Sequence, residues 1–263
     1  LVIGAAGYAT LLIALDWTRG HRWPFLLYST LSLTLVALGA AVFFPQPAWV
    51  FAGLAVVLAV IGLWLDRVSP GLHAAAALVL AALSGGLALA VRDSLLAPGT
   101  SAWPAPSTTA FATLAAALIC AFLPLKVDSP VWPRWLPRFG RTVVALVAAL
   151  GVDAVIVRLL VPAVAGTPGG DIDEGALAAL RTGVLAVTTV VLAWVSRWPV
   201  LRPAAWLVYP LLTLTGLKLL LEDFPRGRAI TMAIALLLYG GAMILAPRLT
   251  RPRDSDEEDE ESD

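Results

Sequence analysis

Nine apolar runs, parted by short polar or Pro- and Gly-bearing stretches, leave this chain few folds to choose from. They are Leu1–Leu15, Phe25–Phe44, Trp49–Leu65, Leu72–Val91, Ala110–Leu125, Thr142–Val161, Ala176–Ser196, Pro203–Leu221 and Ala229–Ala246. At about 1.5 Å per residue, most of them reach across a hydrocarbon layer of about 30 Å. None alternates polar and apolar residues as the strands of a membrane barrel do. The expected fold class is therefore all-α: a polytopic transmembrane helix bundle of about nine spans. Composition agrees, with 59% hydrophobic and 14% charged residues. A soluble domain carries about 25% charged residues and could not hide this much apolar surface in one core. A secreted domain, a soluble enzyme and a disordered chain are excluded. The first run is short for a span and has no basic stretch ahead of it. It fits a chain that begins inside a span better than it fits a signal peptide.

The charges lie in the connections, and their distribution sets an orientation. Net charge is zero, but eight of the eighteen acidic residues fall within Asp254–Asp263, so the remainder of the chain is net +8. Residues 1–247 are expected to form the bundle, and 248–263 a basic and then acidic disordered tail. Twelve Lys and Arg residues fall in the connections after odd-numbered spans and in the C-terminal segment, against three in the even-numbered connections. By the positive-inside rule, the odd connections and the tail face the cytoplasm. Trp-Pro pairs at Trp23-Pro24, Trp103-Pro104, Trp132-Pro133 and Trp198-Pro199 mark span ends, where Trp anchors at headgroups and Pro stops helices. Richness in Ala, Arg and Pro with short connections points to a bacterial inner membrane. The tail reads as solubilising, or as a docking segment for a cytoplasmic partner around Ser255 and Ser262.

Two patterns concern packing. Phe25-Leu-Leu-Tyr28 with Leu31-Ser-Leu-Thr34 resembles Trp206-Leu-Val-Tyr209 with Leu212-Thr-Leu-Thr215, and each run ends in Phe-Pro, at Phe44-Pro45 and Phe224-Pro225. Spans two–three and eight–nine thus read as copies of one helical hairpin. In span four, Ala77, Ala81 and Gly85 form one small-residue row, and Ala82, Gly86 and Ala90 another. Such rows let neighbouring helices approach closely.

Ionisable residues inside apolar runs need partners or a purpose, because each costs at least about 2.5–3.5 kcal/mol at mid-membrane. Asp153, Arg158, Arg181 and Lys218 are such residues. The orientation places the three cations at one depth near the outer face, together with Glu222 and Asp223. The connection bearing Asp171, Asp173 and Glu174, with its glycines, joins them in a mixed-charge outer layer. Three readings compete. The charges pair with one another, Asp153 with Arg181 or Lys218. Or the cations hold an anionic solute or a lipid headgroup, for which the planar Arg fork is suited. Or Asp153 relays protons. The candidate site is thus Asp153, Arg158, Arg181, Lys218, Glu222 and Asp223.

Catalytic signatures are missing from the sequence: no His-Glu metal motif, no nucleophile elbow, no phosphate-binding loop. One cysteine, Cys120, cannot make an intrachain disulfide. His21 and His73 lack carboxylates at ligand spacing, and His73 reads as an interface residue. No enzyme activity, cofactor or metal is expected.

Lys218, followed by Asp223, then Arg228, then an apolar span closing in Arg248, resembles the last hairpin of large bacterial predicted membrane proteins of unknown function. The likeness covers that hairpin alone, and the gap from Asp223 to Arg228 is shorter than in that family. The resemblance implies many spans, no catalysis, and a longer parent chain. The expected function is a non-enzymatic transport or ligand-binding bundle with a polar outward-facing site. The alternative is a structural module of a larger protein or complex with no ligand of its own. Expected partners are the lipid bilayer, an anionic solute or lipid headgroup, and a membrane protein, but not nucleic acid.

Overall fold

The computed structural model describes residues 22–64, 68–124, 135–226 and 228–250, together with Gly4 and Gly7. Among these residues helix is the only extended regular structure, with one isolated antiparallel bridge between Gly166 and Ile172 and no strand. In chain order the helices are α1 Arg22–Phe43, α2 Pro47–Trp64, α3 Val68–Ser84, α4 Leu87–Leu96, α5 Thr108–Phe122, α6 Trp135–Val164, α7 Glu174–Val195, α8 Ala205–Lys218 and α9 Ala229–Thr250. A 3-10 segment, Pro199–Ala204, leads into α8, and a π-helical turn, Leu219–Asp223, continues it. Eight of the nine apolar runs thus fall in described helices, the fifth in the short α5 of 15 residues. The first, apart from Gly4 and Gly7, and the acidic tail lie outside the described residues.

Six described helical segments are long and apolar enough to cross a membrane: Leu26–Phe43, Pro47–Trp64, Trp135–Val164, Glu174–Val195, Pro199–Asp223 and Ala229–Thr250. The fold is therefore compatible with a multi-pass membrane protein. Helices are the open-ended structure that satisfies its own backbone in hydrocarbon, which is why uninterrupted apolar runs adopt it. α6, at 30 residues, is about 45 Å long and exceeds the hydrocarbon layer.

The chain divides into two compact units. Unit 1 comprises 1–97 and 103–155, and unit 2 comprises 98–102 and 156–263. In unit 1, α2 packs against α3 and α5. Its buried side is a row of small residues, Ala48, Ala52, Ala55, Ala59 and Gly62, with Phe51 and Leu58 between them. From α3, Ala74, Ala77, Leu78 and Ala81 are fully buried, so the first expected small-residue row is a packing face.

Span four differs from the expected single helix. It breaks at Gly85-Gly86, where Gly86 takes φ +81°, and the two parts, Pro70–Ser84 and Leu87–Leu96, bend by 66°. The second small-residue row is cut by this break. A left-handed residue is inexpensive only as glycine. The break also frees the Gly85 carbonyl, and two hydroxyls take it up: Ser107 Oγ donates at 2.7 Å and Thr109 Oγ1 at 2.8 Å. Ser107 Oγ in turn accepts the Ala110 N–H and caps α5. Gly85 is buried against Ala48, which a Cβ there would approach to 2.8 Å. Removing both hydroxyls, as Ser107→Ala with Thr109→Val, strands a buried carbonyl and an end of α5. The expected loss is about 2–4 kcal/mol, read as lowered thermal stability in detergent. A melting temperature equal to that of the unaltered protein would show that the bend holds without them.

In unit 2, α7 is the central helix and packs against α9, α8 and the π-turn. Ala186 and Ala193 of α7 form a core with Val208 and Leu212 of α8 and with Ala242 and Ala246 of α9. Arg197 Nε donates to the Leu249 carbonyl at 3.1 Å, capping the end of α9 with a cation. Trp198, from one of the expected anchor pairs, packs on Trp194 with ring centroids 5.8 Å apart, and both rings stay half exposed. The two runs that resemble each other in sequence differ here. α1 stays α-helical up to the turn at Phe44–Gln46, whereas its counterpart leaves α-form at Leu219.

Candidate functional site

The site is assembled by α7 and by the end of α8. Asp173 starts α7: its carboxylate accepts the Gly175 and Ala176 N–H groups at 3.0 and 3.1 Å. Counting from that cap, Arg181 lies two turns into the helix and only 1% exposed, with Thr182 beside it and fully buried. α8 brings Lys218, which is buried at its C-terminus. The π-turn then delivers Glu222 and Asp223. In an ordinary helix Lys218 and Glu222 share a face through their i,i+4 spacing, and they meet here. A π-turn adds one residue to the turn and re-aims the side chains beyond it; such turns are frequent at functional sites.

Glu222 is the hub. One carboxylate oxygen accepts from Arg181 Nη1 at 2.8 Å, and the other accepts from Lys218 Nζ. Asp223 is buried next to them, 1% exposed, and lies in the field of both Lys218 and Arg181. The Thr182 hydroxyl faces it. Thr182 Oγ1 stands within reach of that carboxylate, but among the described residues no hydrogen bond of good geometry is made to either Asp223 oxygen. Two bases and two acids leave the cluster formally neutral. Its unsatisfied capacity is for accepting hydrogen bonds, at Asp223.

Four of the six residues singled out in the sequence therefore come together: Arg181, Lys218, Glu222 and Asp223. Of the other two, Asp153 is fully buried in unit 1, and Arg158 is half-buried on the unit 2 part of α6. Neither is an isolated charge. Thr182 is a member that the sequence reading missed. Its signal is a second polar residue directly after Arg181 inside an apolar run.

The acidic connection before α7 plays a different part from the mixed-charge layer expected of it. Asp173 caps α7 and pairs with Arg228 at 3.1 Å. Glu174 Oε1 accepts the Gly99 N–H at 2.9 Å, and the Gly99 carbonyl accepts from Gly169 N at 2.8 Å. These carboxylates fasten the 98–102 segment and the 165–173 loop. His73, expected at an interface, is instead buried in unit 1, with Nε2 3.3 Å from Thr30 Oγ1. Among the described residues, no group of three or more His, Cys, Asp and Glu side chains could hold a metal ion.

In unit 2, apolar helices thus hold a buried cluster of two bases and two acids. No protein-family model, no curated protein and no solved structure matches the chain.

Proposed function

We propose that this chain is a non-enzymatic ligand-binding or transport bundle whose polar site is the Arg181–Lys218–Glu222–Asp223 cluster. In this reading the bundle has nine spans, with two related hairpins, in a bacterial inner membrane. Its tail is cytoplasmic, as the twelve-to-three bias of basic residues supports. The observation that carries the proposal is the Asp223 carboxylate, buried on a π-turn beside Thr182, Arg181 and Lys218, with no hydrogen bond of good geometry to either oxygen among the described residues. Ionisable groups inside apolar helices that are not fully satisfied mark ion and proton pathways.

The same geometry refines the ligand. An anionic solute or lipid headgroup would have to displace Glu222 from Arg181 and Lys218. Asp223 and Thr182 favour instead a hydrogen-bond donor, either a coupling proton or a small cationic solute. In proteoliposomes carrying an internal pH dye, the unaltered protein is expected to dissipate an imposed proton gradient. Asp223→Asn is expected to abolish that flux; it also leaves Arg181 and Lys218 one balancing charge short, so the melting temperature should fall and flux is compared well below the melting of both proteins. Equal flux from the two proteins would sink the proton reading. No flux from either, with a co-purifying polypeptide, would favour the structural module. The charge balance of the cluster is the observation on that module's side.

A further inference from the structure

We infer that a membrane phospholipid with a zwitterionic headgroup binds in a trough on unit 2, on the side of α7 opposite the charged cluster. The trough has a volume of about 390 Å³, within the range of about 300–1,000 Å³ usual for small-molecule sites. Its floor is Ala176, Ala179 and Gly183 of α7; its walls are Leu160 and Val164 of α6 and Ile234 of α9. Small residues on the floor between large ones on the walls make it concave. At about 100° per residue, this floor lies nearly opposite Arg181, with Thr182 to its side, so α7 serves two separate surfaces.

Length and polarity select the occupant. The trough runs along α7 from Ala176 to Thr188, a rise of about 18 Å, close to one leaflet of a hydrocarbon layer about 30 Å thick. Its lining is almost wholly apolar, and Leu160, Val164, Val187 and Ile234 are 40–54% exposed. An acyl chain matches that surface in length and chemistry. Charge stands at one end of it. Thr231, which lines the trough, donates to the Arg228 carbonyl at 2.9 Å, so Arg228 lies less than one turn away. Asp173, paired with Arg228, precedes Ala176 by three residues, and Asp171 is exposed in the same loop. A lipid phosphate would accept from the Arg228 guanidinium, and its ammonium group would donate to Asp171 and Asp173. A purely anionic headgroup would meet those carboxylates instead.

The test is native mass spectrometry of the full chain in mild detergent, titrated with phosphatidylethanolamine or phosphatidylglycerol. One phosphatidylethanolamine per chain should be retained in preference to phosphatidylglycerol. Ala179→Phe, which fills the trough, should lose it. Arg228→Gln should weaken it about tenfold, the value of one charge-assisted contact. Melting without added lipid checks that both variants fold, and Asp223→Asn should retain the lipid, since the cluster lies on the other face. Equal retention of both lipids by all proteins would mean a nonspecific lipid shell and overturn the inference. So would a lipid-free homodimer, or another polypeptide seated on this face.

Discussion

Glu222→Gln is expected to be the most damaging substitution in the charged cluster, lowering stability by about 3–5 kcal/mol. The reason is an asymmetry in the geometry. Glu222 holds both Arg181 and Lys218. Its loss leaves two cations, both almost fully buried, to share the Asp223 carboxylate. Removing either cation has a smaller effect: Lys218→Met leaves the Arg181–Glu222 pair, and Arg181→Met leaves the Lys218–Glu222 pair. Thermal melting of the three variants in one detergent should rank Glu222→Gln lowest by a clear margin. If Lys218→Met or Arg181→Met melts lower, Glu222 is not the hub. Combining Glu222→Gln with Lys218→Met should recover part of the loss, because fewer charges are then stranded.

The second large effect is expected at Gly166. Its φ of +100° disfavours any L side chain, and a Cβ there would lie 2.3 Å from the Asp171 carbonyl oxygen. Neither obstacle can be relieved by turning a side chain, since the clashing atom is backbone. The loop it opens is fastened at its far end by Asp173 N–H donating to the Ala165 carbonyl at 2.8 Å. Gly166→Ala therefore displaces the residue that caps α7 and pairs with Arg228. A loss of about 2–4 kcal/mol is expected. Gly170→Ala is the control: its φ is not positive, and its close neighbour is the Thr167 side chain, which can give way. Equal melting of the two variants would refute the loop's role in positioning α7.

The helices were legible because their signal is local. An uninterrupted apolar run has one solution in lipid, and α1, α2, α7 and α9 match theirs to within a few residues. The pairing of Lys218 with Glu222 is local too, through i,i+4 spacing. The pairing of Arg181 with Glu222, 41 residues away, has no local signal beyond a charge inside an apolar run. Illegible features depend on distant atoms. Gly85-Gly86 in an Ala-rich run reads equally as close packing or as a break. The deciding residues are Ser107 and Thr109, more than twenty positions further along the chain. The π-turn leaves no trace in Leu219-Leu-Leu-Glu222-Asp223. The acids before α7 looked like part of the site because charge alone does not reveal whether a carboxylate faces a ligand or a backbone N–H. The division into two units falls inside α6, where the sequence is continuous and marks nothing.

The charge balance around Glu222 has an electrical consequence. With both bases and both acids ionised, the cluster carries no net charge, so displacing it along the membrane normal does no work against the membrane potential. A single proton on Asp223 would change that. The cluster would then carry one elementary charge, worth about 2.3 kcal/mol per 100 mV over a full crossing of the membrane. Protonation at that one carboxylate would thus turn a voltage-indifferent group of residues into a voltage-sensitive one.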